Sequence, residues 1–485
     1  MTSIASFWHS SILPALVDYI RIPAKSPHFD PDWAKNGRID AAVALAEDWC
    51  RKHAPADTKI EVVRLPNRTP VLFAELAATA QDAGTVLIYG HLDKQPEMTG
   101  WAEGLGPWTP VVRDGKLYGR GGADDGYAVF AAVAALRELK ESKRAHGRVA
   151  ILIECCEESG SYDLPAYLEA LASRIGTPQL VVALDSGCGN YAQLWGTTSL
   201  RGLVNGVLTV EVLTEGVHSG DASGVVAESF RIARGLLERI DRAETGVVRD
   251  KAFHAAIPRE RREQARRAAK VLGKTVHARF PMLAGMKPMA QKLDELVLNR
   301  TWRPALSVIG ADGLPLPAQA GNVLRPKTSL ALSLRLPPEV DGARAGKRLK
   351  RILEAKPPYG ARVTFEVAQA ATGWHAPVTA AWLAQAVDDA SNKHFGKPAM
   401  WMGEGGTIPF MAMLGAKFPK AQFLITGILG PQANAHGPNE FLHIDYATRL
   451  TAAVADVIAA QSAIHTAAQS AIHTTARSAS RGARE

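Results

Sequence analysis

The 485-residue chain sets a histidine two residues before an aspartate in Tyr89-Gly90-His91-Leu92-Asp93, directly after the apolar run Thr85-Val86-Leu87-Ile88. On an extended chain residues i and i+2 share a face. The Asp93 carboxylate can therefore meet one imidazole nitrogen of His91 and leave the other free to hold a metal. Acids and a second histidine follow other apolar runs. Glu157 and Glu158 come after VAILIECC, Asp185 after LVVAL, and His436 lies in the loop after QFLITGIL. Asp124 sits in GRGGADDG, just ahead of a helical pattern that begins at Tyr127. Each has an ordinary use by itself: Asp124 as a helix N-cap, the glutamates as a solvated turn, Asp185 as a turn former, His436 as a loop residue. Brought to one cleft, like-charged carboxylates repel unless a cation holds them. Histidine with carboxylate oxygen is a zinc-type donor set, and the lack of nearby cysteine ligands favours a catalytic over a structural ion.

Those residues meet only if the runs that precede them lie side by side. The first two hundred positions alternate strand signals (86–89, 149–154, 180–184) with helical ones (127–140, 164–173). That alternation predicts an α/β fold with a mixed, mostly parallel sheet flanked by helices, whose ligands gather outside the carboxyl ends of the strands. After residue 202 the texture changes. Positions 207–213 and 329–336 alternate like strands with one solvated face, and amphipathic helical segments lie between them. An inserted α+β domain over 203–375 is expected. From Pro377 helix, strand and helix return, so the catalytic domain is expected in two parts, 1–202 and 376–460. Residues 461–485, with the near-repeat AQSAIHT, read as a flexible low-complexity tail.

Composition narrows the classes of function. With 47% hydrophobic and 21% charged residues, the chain reads as an ordinary water-soluble globular protein. The net charge of +8 raises nucleic-acid binding. Much of that excess lies in PRERREQARRAAKVLGK, where the arginines alternate with Glu260, Glu263 and alanines and no aromatic residue is present to stack on bases. No nucleic-acid partner is expected. No apolar run approaches the roughly 20 residues needed to cross a bilayer, so no membrane association is expected. The amino-terminal segment lacks a basic start and has helical spacing, unlike a signal peptide. Four cysteines without a pairing framework suit a reducing, cytoplasmic setting.

The stretches YGHLDKQP, LYGRGGADDG, ECCEESGS, ALDSG, GVHSG, Gly405-Gly406-Thr407-Ile408-Pro409 and AHGPNE occur in one order. Over about residues 10–460 that order resembles metallopeptidase family M20, the group of the carnosinases, carboxypeptidase G and succinyl-diaminopimelate desuccinylase. The resemblance implies two zinc ions per chain, with manganese or cobalt as alternatives. Asp124 would bridge them, His91 and Asp185 completing one site, Glu158 and His436 the other. Glu157 would be the general base and Asp93 the residue that orients His91. The inserted domain would be a lid and dimerisation domain, giving a homodimer in which His218 stabilises the oxyanion, reaching the neighbouring subunit. Asn322 and Arg335 would contact substrate, and Gly405, Gly406 and Thr407 would hold its carboxyl end. The implied reaction is hydrolysis of dipeptides or short peptides with a free carboxylate, or alternatively removal of an N-acyl, N-carbamoyl or succinyl group from an amino acid. One departure stands out: Gly126 follows Asp125 where relatives usually carry lysine.

Overall fold

The computed structural model describes residues 3–80 and 83–482. The chain divides into two units. The first holds the residues up to Thr197, Ala376–Trp401, and those from Met413 onward; the second holds Thr198–His375 and Met402–Ala412. Residues 402–412, which a linear reading leaves with the rest of 376–460, thus belong to the second unit.

A six-stranded sheet forms the centre of the first unit. Its order is Lys59–Val63, Val71–Leu76, Arg148–Glu154, Thr85–His91, Leu180–Ala183 and Gln422–Ile425. The last four strands run parallel to one another, and Val71–Leu76 pairs antiparallel with the strand on each side of it, so the sheet is mixed and mostly parallel. Thr85–His91 is buried from Val86 to its end, which explains its unbroken apolar character: both faces of a central parallel strand are covered. Each aliphatic side chain it buries contributes about 1.5–3 kcal/mol. The helix Tyr127–Glu141 is apolar nearly all round, as a fully buried helix must be. Its alanines let its backbone come close to the sheet. A Cβ on Gly90 would stand 2.5 Å from the Cβ of Ala128, so glycine at 90 lets the helix start beside the end of the His91 strand.

The closing helix, Ile444–Gly482, keeps a helical backbone through the near-repeat, where composition predicts a flexible tail from residue 461. Alanine is frequent there and has the highest helix propensity. Residues 483–485 lie outside the described residues. No helix among the described residues is long and apolar enough to cross a membrane.

The second unit is α+β. Its antiparallel sheet has the order Ala305–Asp312, Lys327–Leu336, Gly202–Glu211, Arg362–Ala371. Val204, Leu208, Leu332, Leu334 and Phe365 face inward and pack with Ile232 and Leu236 of helix Ser229–Leu237 and Leu349 and Leu353 of helix Gly342–Glu354. Alternation at period two gives each strand its buried side.

Candidate metal centre

The carboxyl ends of the parallel strands carry the acids and the first histidine. His91 is the last residue of its strand, Glu157 and Glu158 follow Arg148–Glu154, and Asp185 follows Leu180–Ala183. His436 lies in the loop after Gln422–Ile425. Asp124 lies in a tight helical turn, Gly122–Gly126, and a cis peptide joins it to Asp125. The helix from Tyr127 has no side-chain cap, so Asp124 is not spent as an N-cap. The side chains of Glu157 and Glu158 are only 11% and 3% exposed, which removes the solvated-turn reading.

His91 is held from three sides. Its Nδ1 lies 3.0 Å from the carbonyl oxygen of Asp93 and 3.4 Å from Asp93 Oδ1. A carbonyl can only accept, so Nδ1 carries the hydrogen and the lone pair of the neutral ring sits on Nε2. That Nε2 is buried and has no hydrogen-bond partner among the described residues. It faces Asp124 Oδ1 at 3.5 Å, Asp185 Oδ2 at 3.9 Å and Glu157 Oε2 at 4.0 Å. The other oxygen of Asp124, Oδ2, lies 3.0 Å from His436 Nε2, which is 3.4 Å from Glu158 Oε2. The two oxygens of one carboxylate thus address two different histidines.

Ligand atoms of His91, Glu157 and Asp185 all lie within 4.8 Å of one another, as do those of His91, Asp124 and Glu158. Electrostatics point the same way. Burial, then neighbouring acids, push Asp185 up to about 7 and Glu158 up to about 8, and Glu157 well above the usual carboxylate range. Burial opposes charge on His91, but Asp124, Asp93 and Asp185 hold its pKa well above the ordinary value. Burial likewise opposes His436, yet Glu158 and Asp124 raise it to about 9. Acids crowded this closely resist ionising together and need a counter-ion, and the orphaned Nε2 needs a partner. Oxygen and imidazole donors around a divalent cation satisfy both, so these residues fit a metal.

Several supporting residues carry no signal in the linear sequence beyond their motif. The Asp93 carboxylate accepts the backbone N–H of Glu157 at 3.1 Å and of Glu158 at 3.0 Å, so it braces the glutamate turn as well as His91. Asp125 Oδ2 accepts the His91 N–H at 3.3 Å, and Gln95 Nε2 donates to Glu158 Oε2 at 2.6 Å. Arg120 and Glu440 form a buried ion pair. Arg120 Nη2 donates to the carbonyl of Gly437 at 2.9 Å and Glu440 Oε1 accepts from the Gly121 N–H at 2.9 Å, tying the His436 loop to the Asp124 turn. That bracing matters because His436 has φ of +64°, a conformation costly for a side chain with a Cβ. Gly126 also finds its reason: a Cβ there would fall on the ring of Tyr19, so the position has no room for a side chain.

The remaining expected site residues lie in the second unit. His218 is 66% exposed at its side chain, and its Nδ1 accepts the Gly220 N–H at 3.2 Å. It pairs in a short ladder with Val323, and the carbonyl of the adjacent Asn322 accepts from Ser219 N–H at 2.8 Å. Arg335 Nη1 donates to Thr407 Oγ1 at 3.1 Å, and that hydroxyl donates to the carbonyl of Arg201 at 2.6 Å. Gly405 offers its carbonyl to Arg201 Nε at 3.1 Å. Among the described residues, and apart from its chain neighbours, nothing lies within 4 Å of where a Cβ on Gly406 would be.

The model of peptidase family M20/M25/M40 matches residues 87–460. The chain is 29% identical over 378 residues to the cysteinylglycine-S-conjugate dipeptidase of Corynebacterium striatum, covering 74% of this chain and 77% of that protein. It is 28% identical over 296 residues to the human beta-Ala-His dipeptidase, covering 59% of this chain and 56% of that protein. Human carnosine dipeptidase 1 has the same fold, with a TM-score of 0.74 at 20% identity over 95% of this chain and 97% of that one. The Saccharomyces cerevisiae dipeptidase Dug1p superposes with a TM-score of 0.73 at 20% identity, over 95% and 98%. With His91 and the strand-end acids gathered as a candidate metal-binding group, and most of its length matched, the chain belongs to peptidase family M20/M25/M40 and is a metal-dependent hydrolase of peptide or amide bonds.

Proposed function

We propose that this chain is a dinuclear metallodipeptidase acting on dipeptides or short peptides with a free carboxylate. The observation that carries the reading is Asp124, whose two oxygens face His91 at 3.5 Å and His436 at 3.0 Å. Asp124, His91 and Asp185 would hold one divalent cation, and Asp124, Glu158 and His436 a second. Zinc suits these donors best, with manganese or cobalt as alternatives. Two such ions supply Lewis acidity for the scissile carbonyl and lower the pKa of the attacking water.

The chain's own residues then move the protons. Glu157 accepts the proton of the water at a carboxylate oxygen and delivers it to the leaving nitrogen. Its neighbour Glu158 and the brace from Asp93 keep it in place. In the second unit, Arg335, Thr407 and the glycines at 405 and 406 would take the free carboxylate, Asn322 would contact the substrate, and His218 would stabilise the oxyanion. His218 is exposed and the strand Ala305–Asp312 is an open sheet edge with Ile309 63% exposed, which supports a homodimer joined through this unit. All four cysteines are buried and none is joined in a disulfide, in keeping with a reducing, cytoplasmic compartment.

Elemental analysis of protein purified without chelator, paired with a screen of dipeptides and N-acyl, N-carbamoyl and N-succinyl amino acids, tests the reading. Close to two metal ions per chain with chelator-sensitive release of amino acids from dipeptides is expected. Full metal with cleavage of acyl amino acids alone would move the assignment to an amidohydrolase, and protein that binds no metal after reconstitution would overturn it.

A further inference from the structure

The second unit gathers positive charge that the metal centre does not use. Arg201, Arg300 and Arg335 surround the segment 402–407. Arg201 Nε donates to Gly405 at 3.1 Å and its Nη1 lies 3.5 Å from the Asn299 carbonyl. Arg335 reaches Thr407 at 3.1 Å, and Arg300 Nη2 lies 3.4 Å from Met402 Sδ. A Cβ on Gly405 would stand 3.1 Å from Arg300 Cγ and 3.3 Å from Arg201 Nη2, so these two side chains flank that glycine. All three arginines are half-buried.

Every partner named here is neutral: a carbonyl, a hydroxyl or a thioether. Among the described residues none of the three guanidiniums has a carboxylate within 4 Å, whereas Arg303 beside them pairs with Glu295 at 2.6 Å. Burial, then the charges of Arg335 and Arg300, push Arg201 down to about 10. Like charges held close in a partly desolvated place are unfavourable until an anion joins them. A guanidinium offers a planar fork of donors that matches a carboxylate.

We propose that this cluster is a dicarboxylate subsite: Arg335 and Thr407 take the free carboxylate, and Arg201 with Arg300 takes a second carboxylate on the same residue. The proposal rests on the peptidase reading above and names its substrate class, peptides or acyl amino acids that end in aspartate or glutamate. One guanidinium suffices for one carboxylate. Three, all without a counter-charge, fit a dianion. A substrate lacking the second carboxylate leaves two cations unpaired, and sites of this kind discriminate strongly against it.

The test uses the metal-loaded, full-length enzyme. Calorimetry measures binding of glutarate, butyrate and inorganic phosphate, while kcat/KM is measured for Ala-Asp, Ala-Asn and Ala-Ala, on the wild type and on Arg300→Met. Glutarate should bind at least about tenfold tighter than butyrate, and Ala-Asp should exceed Ala-Asn by a similar factor. Arg300→Met should bring both ratios below about threefold, chiefly through KM. Ratios near one in the wild type overturn the subsite, and that arm needs no variant. Ratios unchanged in a folded Arg300→Met protein overturn it too, as does phosphate binding as tightly as glutarate. If no peptide or acyl amino acid is cleaved but glutarate is still preferred, the peptidase reading falls and the dicarboxylate site stands. If peptides are cleaved without acidic preference, the reverse holds.

Discussion

Oδ1 of Asp93 accepts the backbone N–H of Glu157 at 3.1 Å, across 64 positions of sequence. Oδ2 does the same for Glu158 at 3.0 Å, while the main-chain carbonyl of Asp93 receives Nδ1 of His91 at 3.0 Å. One residue therefore sets both the imidazole and the glutamate pair. Asp93→Ala should lower metal affinity or kcat about 10–100-fold, the usual cost of losing a group that orients ligands. Metal titration and steady-state kinetics on a folded variant read this directly. Wild-type affinity and turnover would show that the brace is dispensable.

Glu157→Gln keeps the volume and removes the base. Metal content should be unchanged and kcat should fall about 10²–10⁴-fold, with KM moving little. Turnover within tenfold of wild type in metal-replete protein would transfer the role of base to another group.

Gly90→Ala would place its Cβ 2.5 Å from Ala128 Cβ and 2.7 Å from Asp125 Oδ2. The Cβ of Ala128 is fixed to the helix backbone and cannot swing aside, so the helix start and the His91 strand must separate. A loss of about 1–3 kcal/mol is expected, as for other overpacked cores. Since Asp125 also receives the His91 N–H, metal affinity should fall with stability. Thermal denaturation with and without added zinc distinguishes a packing effect from a metal effect, and an unchanged melting temperature would contradict the close contact.

Acid sensitivity should carry the mark of Asp456. This half-buried carboxylate meets His394 at 2.7 Å, Lys393 at 2.8 Å and Arg144. Burial works against its ionisation, but those three partners hold its pKa well below the usual carboxylate range. A depressed folded pKa means the unfolded chain binds the proton first as pH falls. The stabilisation is thus complete above about pH 5 and fades from about pH 4 downward, through the depressed folded value. Asp456→Asn should be less stable than wild type at pH 7, and the gap should narrow below about pH 4. Denaturant melts at pH 7, 5 and 3 check this; a gap that stays constant across them would assign the effect to packing.

The strands and helices that place acids and histidines at one edge of the sheet were legible in the sequence, because apolar runs of strand length and the acids after them are local patterns. Val86 to Tyr89 is buried on both faces and so had to be apolar throughout, and the alternation with helices implied parallel strands whose carboxyl ends lie together. The ordered motifs carried the family in the same way. Only the tertiary structure decided which oxygen meets which nitrogen. That Asp124 turns one oxygen to His91 and the other to His436 depends on how three loops are packed. The Asp93 contacts with the glutamate turn, and the Arg120–Glu440 pair spanning 320 positions, join side chains to groups far off in sequence and leave no periodic trace. The same holds for residues 402–412, which join the second unit and bring Thr407 to Arg335. Local spacing governs which residues share a strand or a helix face. Contacts between distant segments arise only when burial of the cores brings their loops together, and the fine geometry of the site is made of such contacts.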